Sequence, residues 1–131
     1  MLWSNQTDGG FYFASHTDGA AANKWIGGVV ARGTNLADDH MSIKALQADS
    51  SGSVYAVVKT SFNTAGQPQI EMFIGRPQSN GKLSWRMVVV NTNGHETRPI
   101  LLLDASNRRA LIFMADESGG QIYYKATSLD A

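Results

Sequence analysis

The sequence predicts an all-β protein, and three observations carry that prediction. Ten short segments rich in Val, Ile, Tyr, Phe, Met and Trp run along the 131 residues, each bounded by Gly, Asn, Asp or Ser. Helical periodicity is nearly absent: only 41–48, with Ile43, Ala45 and Leu46 in partial i, i+3 register, approaches it, and that stretch is too short to stand alone as a helix. No low-complexity tract occurs, and the turn-forming residues are spread at short intervals as punctuation.

Taken in order, the strands fall at roughly 2–6, 10–16, 25–31, 41–48, 54–61, 69–76, 84–91, 98–103, 109–116 and 121–127. Leu2-Trp3 opens the first, and Gly9-Gly10 turns the chain into Phe11-Tyr12-Phe13 of the second. His16 precedes Thr17-Asp18-Gly19 and reads as the cap of a turn; Trp25 opens the next strand. Gly66-Gln-Pro-Gln-Ile70 and Gly119-Gly120-Gln-Ile122 are further hairpin turns entering strands, while Gly-Lys-Leu-Ser leads into Trp85.

Composition bounds the partners. Eleven Lys+Arg balance eleven Asp+Glu, which removes the electrostatic reason to expect a nucleic acid or an anionic membrane surface. Without cysteine there is no disulfide frame and no thiolate zinc cluster, so apolar burial must stabilise the chain. Apolar runs such as 87–90 and 100–103 are far below the ~20 residues of a membrane span. Met1 leads into Leu2-Trp3-Ser4-Asn5-Gln6 with neither a basic nor an apolar leader region, so no signal peptide is expected, and the compartment stays open. Phosphate loops, HExxH, EF-hands, nucleophile elbows and a helix-opening glycine fingerprint are all missing, so no metal or cofactor is expected.

An internal repeat organises the strands. His40, Asp49, Ser51 and Gly52 match His95, Asp104, Ser106 and Asn107 at one offset of 55, and the same offset lays Val54-Tyr-Ala-Val-Val58 over Arg109-Ala-Leu-Ile-Phe113. Asp49 and Asp104 are suited to bonding the backbone ahead of them, with Gly52 and Asn107 in the left-handed conformation a tight hairpin demands. Naming the strands of one unit A to D, the chain reads B-C-D, A-B-C-D, A-B-C. A four-stranded antiparallel unit recurring in this way is the signature of a β-propeller blade. An immunoglobulin-like sandwich shares the strand spacing but has no reason to repeat His, Asp and Trp as a set.

The expected architecture is therefore a propeller fragment of two and a half to three blades, at about 1–33, 34–92 and 93–131, in a single domain. Closed propellers usually have about four to eight blades. Such a fragment leaves apolar faces and strand edges uncovered, so self-association is expected, with a dimer giving six blades.

The turn Ser79-Asn80-Gly81-Lys82-Leu83-Ser84-Trp85, its weaker analogue from Thr17-Asp18-Gly19 to Trp25, and Thr97-Arg98-Pro99-Ile100 resemble the sialidase-like propellers with bacterial neuraminidase (Asp-box) repeats. The resemblance implies the propeller fold, a carbohydrate ligand and secretion. The arginine cluster, tyrosine nucleophile and carboxylate partner of sialidases are not placed in this chain, so it does not extend to sialidase activity. Asp38-Asp39-His40 also resembles the Asp-x-His opening strand of some repeat-containing propellers that include polysaccharide lyases. Histidines and a tyrosine there act on uronic acid sugars, which implies a polyanionic glycan.

Candidate site residues follow from chemistry. Asp38, Asp39 and His40 close a long connection to one rim, where a carboxylate beside an imidazole can orient a general base or bind a sugar hydroxyl; Asp39 and His40 are the catalytic candidates. His95 holds the matching place in the next unit, which favours a repeated structural bond for His40. Lys44, Lys59, Arg98 and Lys125 are charges inside otherwise apolar strands; such charges need partners, and Lys59 and Arg98 are the stronger candidates for an anionic ligand. Trp25 and Trp85 recur and are assigned to packing, whereas Trp3, beside Asn5 and Gln6, is free to stack on a sugar. The leading expectation is non-catalytic recognition of a carbohydrate or polar ligand. A glycan-active hydrolase or lyase and a purely structural self-assembling fragment are the alternatives.

Overall fold

The computed structural model describes residues 1–41 and 46–130. Among these there is no helix, and hence none long and apolar enough to cross a membrane. Ten strands form: β1 Leu2–Asn5, β2 Gly10–His16, β3 Trp25–Arg32, β4 Gln47–Ala48, β5 Val54–Lys59, β6 Ile70–Pro77, β7 Leu83–Asn91, β8 Glu96–Asp104, β9 Arg109–Asp116 and β10 Ile122–Ser128. The 41–48 segment contributes β4 and a single bridge from Met41 to Val58, while 42–45, and with them Lys44, lie outside the described residues.

The strands group into three antiparallel sheets in chain order: β1-β2-β3 (sheet 1), β4-β5-β6-β7 (sheet 2) and β8-β9-β10 (sheet 3). Alternation along each strand gives every sheet two faces. Sheet 2 is covered on both. Toward sheet 1, its Ala56, Val58 and Phe73 meet Phe11, Phe13 and Ala31 in one apolar layer. Toward sheet 3, its Tyr55, Val57, Met72 and Ile74 meet Leu101, Ala110, Ile112 and Met114 in a second. Leu36 and Ala37, in the connection from β3 to β4, close one end of the first layer.

Trp85 shows how sequence sets this packing. It stands opposite Gly75 on the face toward sheet 1, its ring 5.5 Å from that of Phe13. A Cβ on Gly75 would lie 2.9 Å from the indole, so the absence of a side chain makes room for the ring.

The two matched hairpins share their turn chemistry, with one change of register. Ser51 N–H donates to Asp49 Oδ1 at 3.0 Å and Asn107 N–H to Asp104 Oδ1 at 3.1 Å, as the aspartates suggest. Gly52 is left-handed, with φ 74°, but the second hairpin places Arg108 there (φ 53°) rather than Asn107. Tyr55 opposes Gln47, whereas Leu111 opposes Leu102, so the offset is 55 on the first strand and 56 on the second. One extra turn residue accounts for the slip, and it keeps equivalent side chains on equivalent faces.

Candidate functional site

The connection from sheet 1 into sheet 2 is pinned to the end of β5. Ser61 N–H donates to Asn35 O at 3.1 Å, Ser61 Oγ donates to Ala37 O at 2.5 Å, and Lys59 N–H donates to His40 O at 3.3 Å. These bonds bring Asp38, Asp39 and His40 against Lys59, which lies 21 positions from Asp38 in the chain.

Asp38 is the hub of the cluster. Its Oδ1 accepts the His40 backbone N–H at 2.9 Å and the ring Nδ1–H at 2.6 Å, and its Oδ2 accepts the buried Lys59 ammonium at 3.1 Å. Lys59 Nζ also donates to Thr60 O at 3.3 Å. Burial pushes the Asp38 carboxyl up, but the bonds from His40 and Lys59 outweigh it and bring it down to about 2. Asp38 is therefore an anion that holds the imidazole and the ammonium in place. Asp39 Oδ1 lies 2.9 Å from the same Nδ1 and stays exposed. With the proton on Nδ1 shared between two carboxylates, Nε2 has no partner among the described residues and can accept a proton or a hydrogen bond.

A cleft of about 300 Å³ opens beside this cluster, lined by Asp39, His40, Met41, Arg98, Pro99 and Ile100. Its second wall is a bulge in β8: Thr97 opposes Ala115 and Ile100 opposes Phe113, so Arg98 and Pro99 together face only Met114. Proline suits a bulge because it has no ladder N–H to lose. Arg98 pays for the bend with a left-handed backbone, φ 49°, although a following proline favours the extended region. The bulge leaves Arg98 exposed between two buried neighbours, Thr97 and Pro99.

Thus Asp39, His40 and Arg98 line one cleft, with Asp38 and Lys59 as the buried support behind it. Trp3 does not join them: it lies on sheet 1, stacked on Tyr12 at 5.7 Å, with Tyr12 bonded to Asp8. Lys125 reaches across to sheet 2, donating to Val90 O at 2.6 Å. His16 Nε2 lies 3.0 Å from Ala21 O, the turn-capping place its sequence context suggests.

The repeat is not followed closely here. His95 O accepts Glu117 N–H at 3.0 Å, whereas His40 O accepts from Lys59, whose counterpart in the repeat is Ala115, two residues before Glu117. Asn93 and Gly94 replace Asp38 and Asp39, and Asn93 Nδ2 donates to Glu96 instead, at 2.9 Å. Among the described residues, no carboxylate bonds the His95 ring as Asp38 bonds that of His40.

Asp38, Asp39 and His40 offer ligand atoms within 4.8 Å of one another, a spacing compatible with a metal ion. The Lys59 ammonium already neutralises Asp38, however, and a metal would have to displace it. Sequence reasoning missed Met41, Pro99 and Ile100 as cleft walls, and it missed Glu71. Glu71 is 4% exposed, its Oε2 has no partner among the described residues, and burial pushes its carboxyl up to about 7. Its signal was present in the sequence as a lone charge within Ile70–Ile74, the criterion that singled out Lys59. Comparison with family models, with curated proteins and with solved structures finds no match to this chain.

Proposed function

We propose that this chain recognises a carbohydrate or similar polar ligand, preferably one bearing a carboxylate, at the cleft between His40 and Arg98 on a β-propeller scaffold. The carrying observation is the mixed lining: the Arg98 guanidinium for an anionic group, and the open His40 Nε2 and the Asp39 carboxylate to accept from hydroxyls. Asp38 and Lys59 support it by fixing His40 before any ligand arrives, which lowers the ordering cost of binding. The propeller reading is supported by three antiparallel sheets in chain order, each packed face to face on the next, and by the repeated hairpin.

Titration calorimetry with an oligouronate and a neutral oligosaccharide of equal length tests this reading. The acidic sugar is expected to bind more tightly, with Arg98→Ala weakening it about 10- to 100-fold, the cost of a charged hydrogen bond, and His40→Ala up to about 10-fold, that of a neutral one. Absence of binding, or binding indifferent to both substitutions in folded protein, overturns it.

A second reading, a glycan-active enzyme, is favoured by one observation: the Asp38-oriented imidazole leaves Nε2 open in the manner of a general base. It requires product release from a polysaccharide that His40→Ala abolishes while the fold is kept.

A further inference from the structure

Each sheet has a forward face toward the next sheet in chain order and a backward face toward the one before. The forward faces of sheets 1 and 2 are both covered. The forward face of sheet 3 is equally apolar and uncovered: Ile100, Leu102, Leu111, Phe113, Ile122 and Tyr124 align across β8, β9 and β10, with Ile122 74% and Tyr124 66% exposed. A groove of about 490 Å³ runs along it. Isolated exposed apolar residues are ordinary, but a whole sheet face of them is a contact surface.

The backward face of sheet 1 is the complementary surface. Trp3, Tyr12 and Val29 form one cross-strand row, and Trp25 stands opposite His16 on the same face. Trp25 and Trp85 hold equivalent places, each near the start of the last strand of its sheet and on its backward face. Trp85 is packed on Phe13 of sheet 1, whereas Trp25 is 51% and Val29 52% exposed. The chain thus carries one open forward face and one open backward face, the two halves of the contact it already makes twice internally.

We propose that the forward face of sheet 3 docks the backward face of sheet 1 of a second copy, head to tail, continuing the stack of sheets. Such a contact is heterologous, and two copies related by a twofold axis close it into a ring. The inference rests on the propeller reading above. It also bears on the ligand site, because Arg98 and Ile100 line both the cleft and the groove, so the docked copy walls the cleft's open side.

Light scattering across a concentration series is the first test, with a mass approaching twice the 14.2 kDa of one chain expected as concentration rises. Leu102→Glu should return it to the mass of one chain with an unchanged circular dichroism spectrum. Because the chain has no cysteine, Val29→Cys and Ile122→Cys give a second test that does not depend on that variant's folding. With a short bismaleimide, an equimolar mixture should yield a cross-linked pair and neither protein alone should. A single-chain mass at every concentration, no cross-link in the mixture, or Ile122→Cys cross-linking to itself overturns the proposal. Binding of the oligouronate by a single-chain species would leave the cleft reading standing without this one.

Discussion

Glu71→Leu should stabilise the protein above neutral pH and leave it nearly unchanged in mild acid. Glu71 lies on β6 between Val58 of β5 and Val89 of β7, in a layer that includes Phe73. Burial raises its carboxyl from 4.5 to about 7. The folded state therefore holds a proton that the unfolded chain releases between these values, and stability falls as pH rises through that window. A difference of about 2.5 units at roughly 1.4 kcal/mol per unit gives a penalty of about 3 kcal/mol, fully developed above pH 7 and absent below pH 4.5. Leucine at this position completes an apolar row across three strands and has no charge to desolvate. Urea unfolding of both proteins at pH 4.5, 6 and 8 reads the effect. The stability advantage of the variant should grow by about 3 kcal/mol from the lowest to the highest pH. Parallel pH profiles for the two proteins would refute the reasoning, because any packing change made by leucine shifts both ends equally.

Three further outcomes follow from the same physics. Lys59→Met should cost about 3–5 kcal/mol in urea unfolding by leaving the Asp38 carboxylate buried without its ammonium, and adding Asp38→Asn should recover part of that loss. Gly75→Ala should cost about 1–3 kcal/mol and change the near-ultraviolet dichroism of Trp85, since the new methyl meets the indole at 2.9 Å. Arg98→Gly should raise stability by about 1 kcal/mol by relieving the left-handed backbone, while weakening binding of an oligouronate as Arg98→Ala does.

Much of the scaffold was legible in the sequence because strands and hairpins are local. The alternation of Phe11, Tyr12 and Phe13, and the aspartate turns at Asp49 and Asp104, place β2, β5, β8 and β9 within a residue or two, whereas the strand expected over 41–48 gives only β4 at Gln47–Ala48 and a bridge at Met41. The repeat pointed to equivalent strands, but the one-residue slip at Arg108 was hidden, since the sequence suggested the left-handed position for Asn107, a more usual residue there.

The site was legible in chemistry rather than geometry. Asp39, His40 and Arg98 were singled out as candidates, and they line one cleft; Lys59 needed a partner and has it in Asp38. Which aspartate is buried and which faces the cleft depends on how residues 35–37 are tied to Ser61, a long-range feature without a sequence pattern. Trp3 illustrates the opposite limit: an exposed aromatic beside Asn5 satisfies the composition of a sugar site, but its sheet carries it away from the cleft. The bulge at Arg98-Pro99 was obscured because its residues read equally well as the beginning of a regular strand.

The most direct measurement is nuclear magnetic resonance of the side chains during titration with an oligouronate. The His40 imidazole and Arg98 guanidinium signals are expected to move together along one saturable curve, with the Trp3 indole signal still. Shifts centred on Trp3 and Tyr12, with His40 and Arg98 unmoved, would contradict recognition at this cleft.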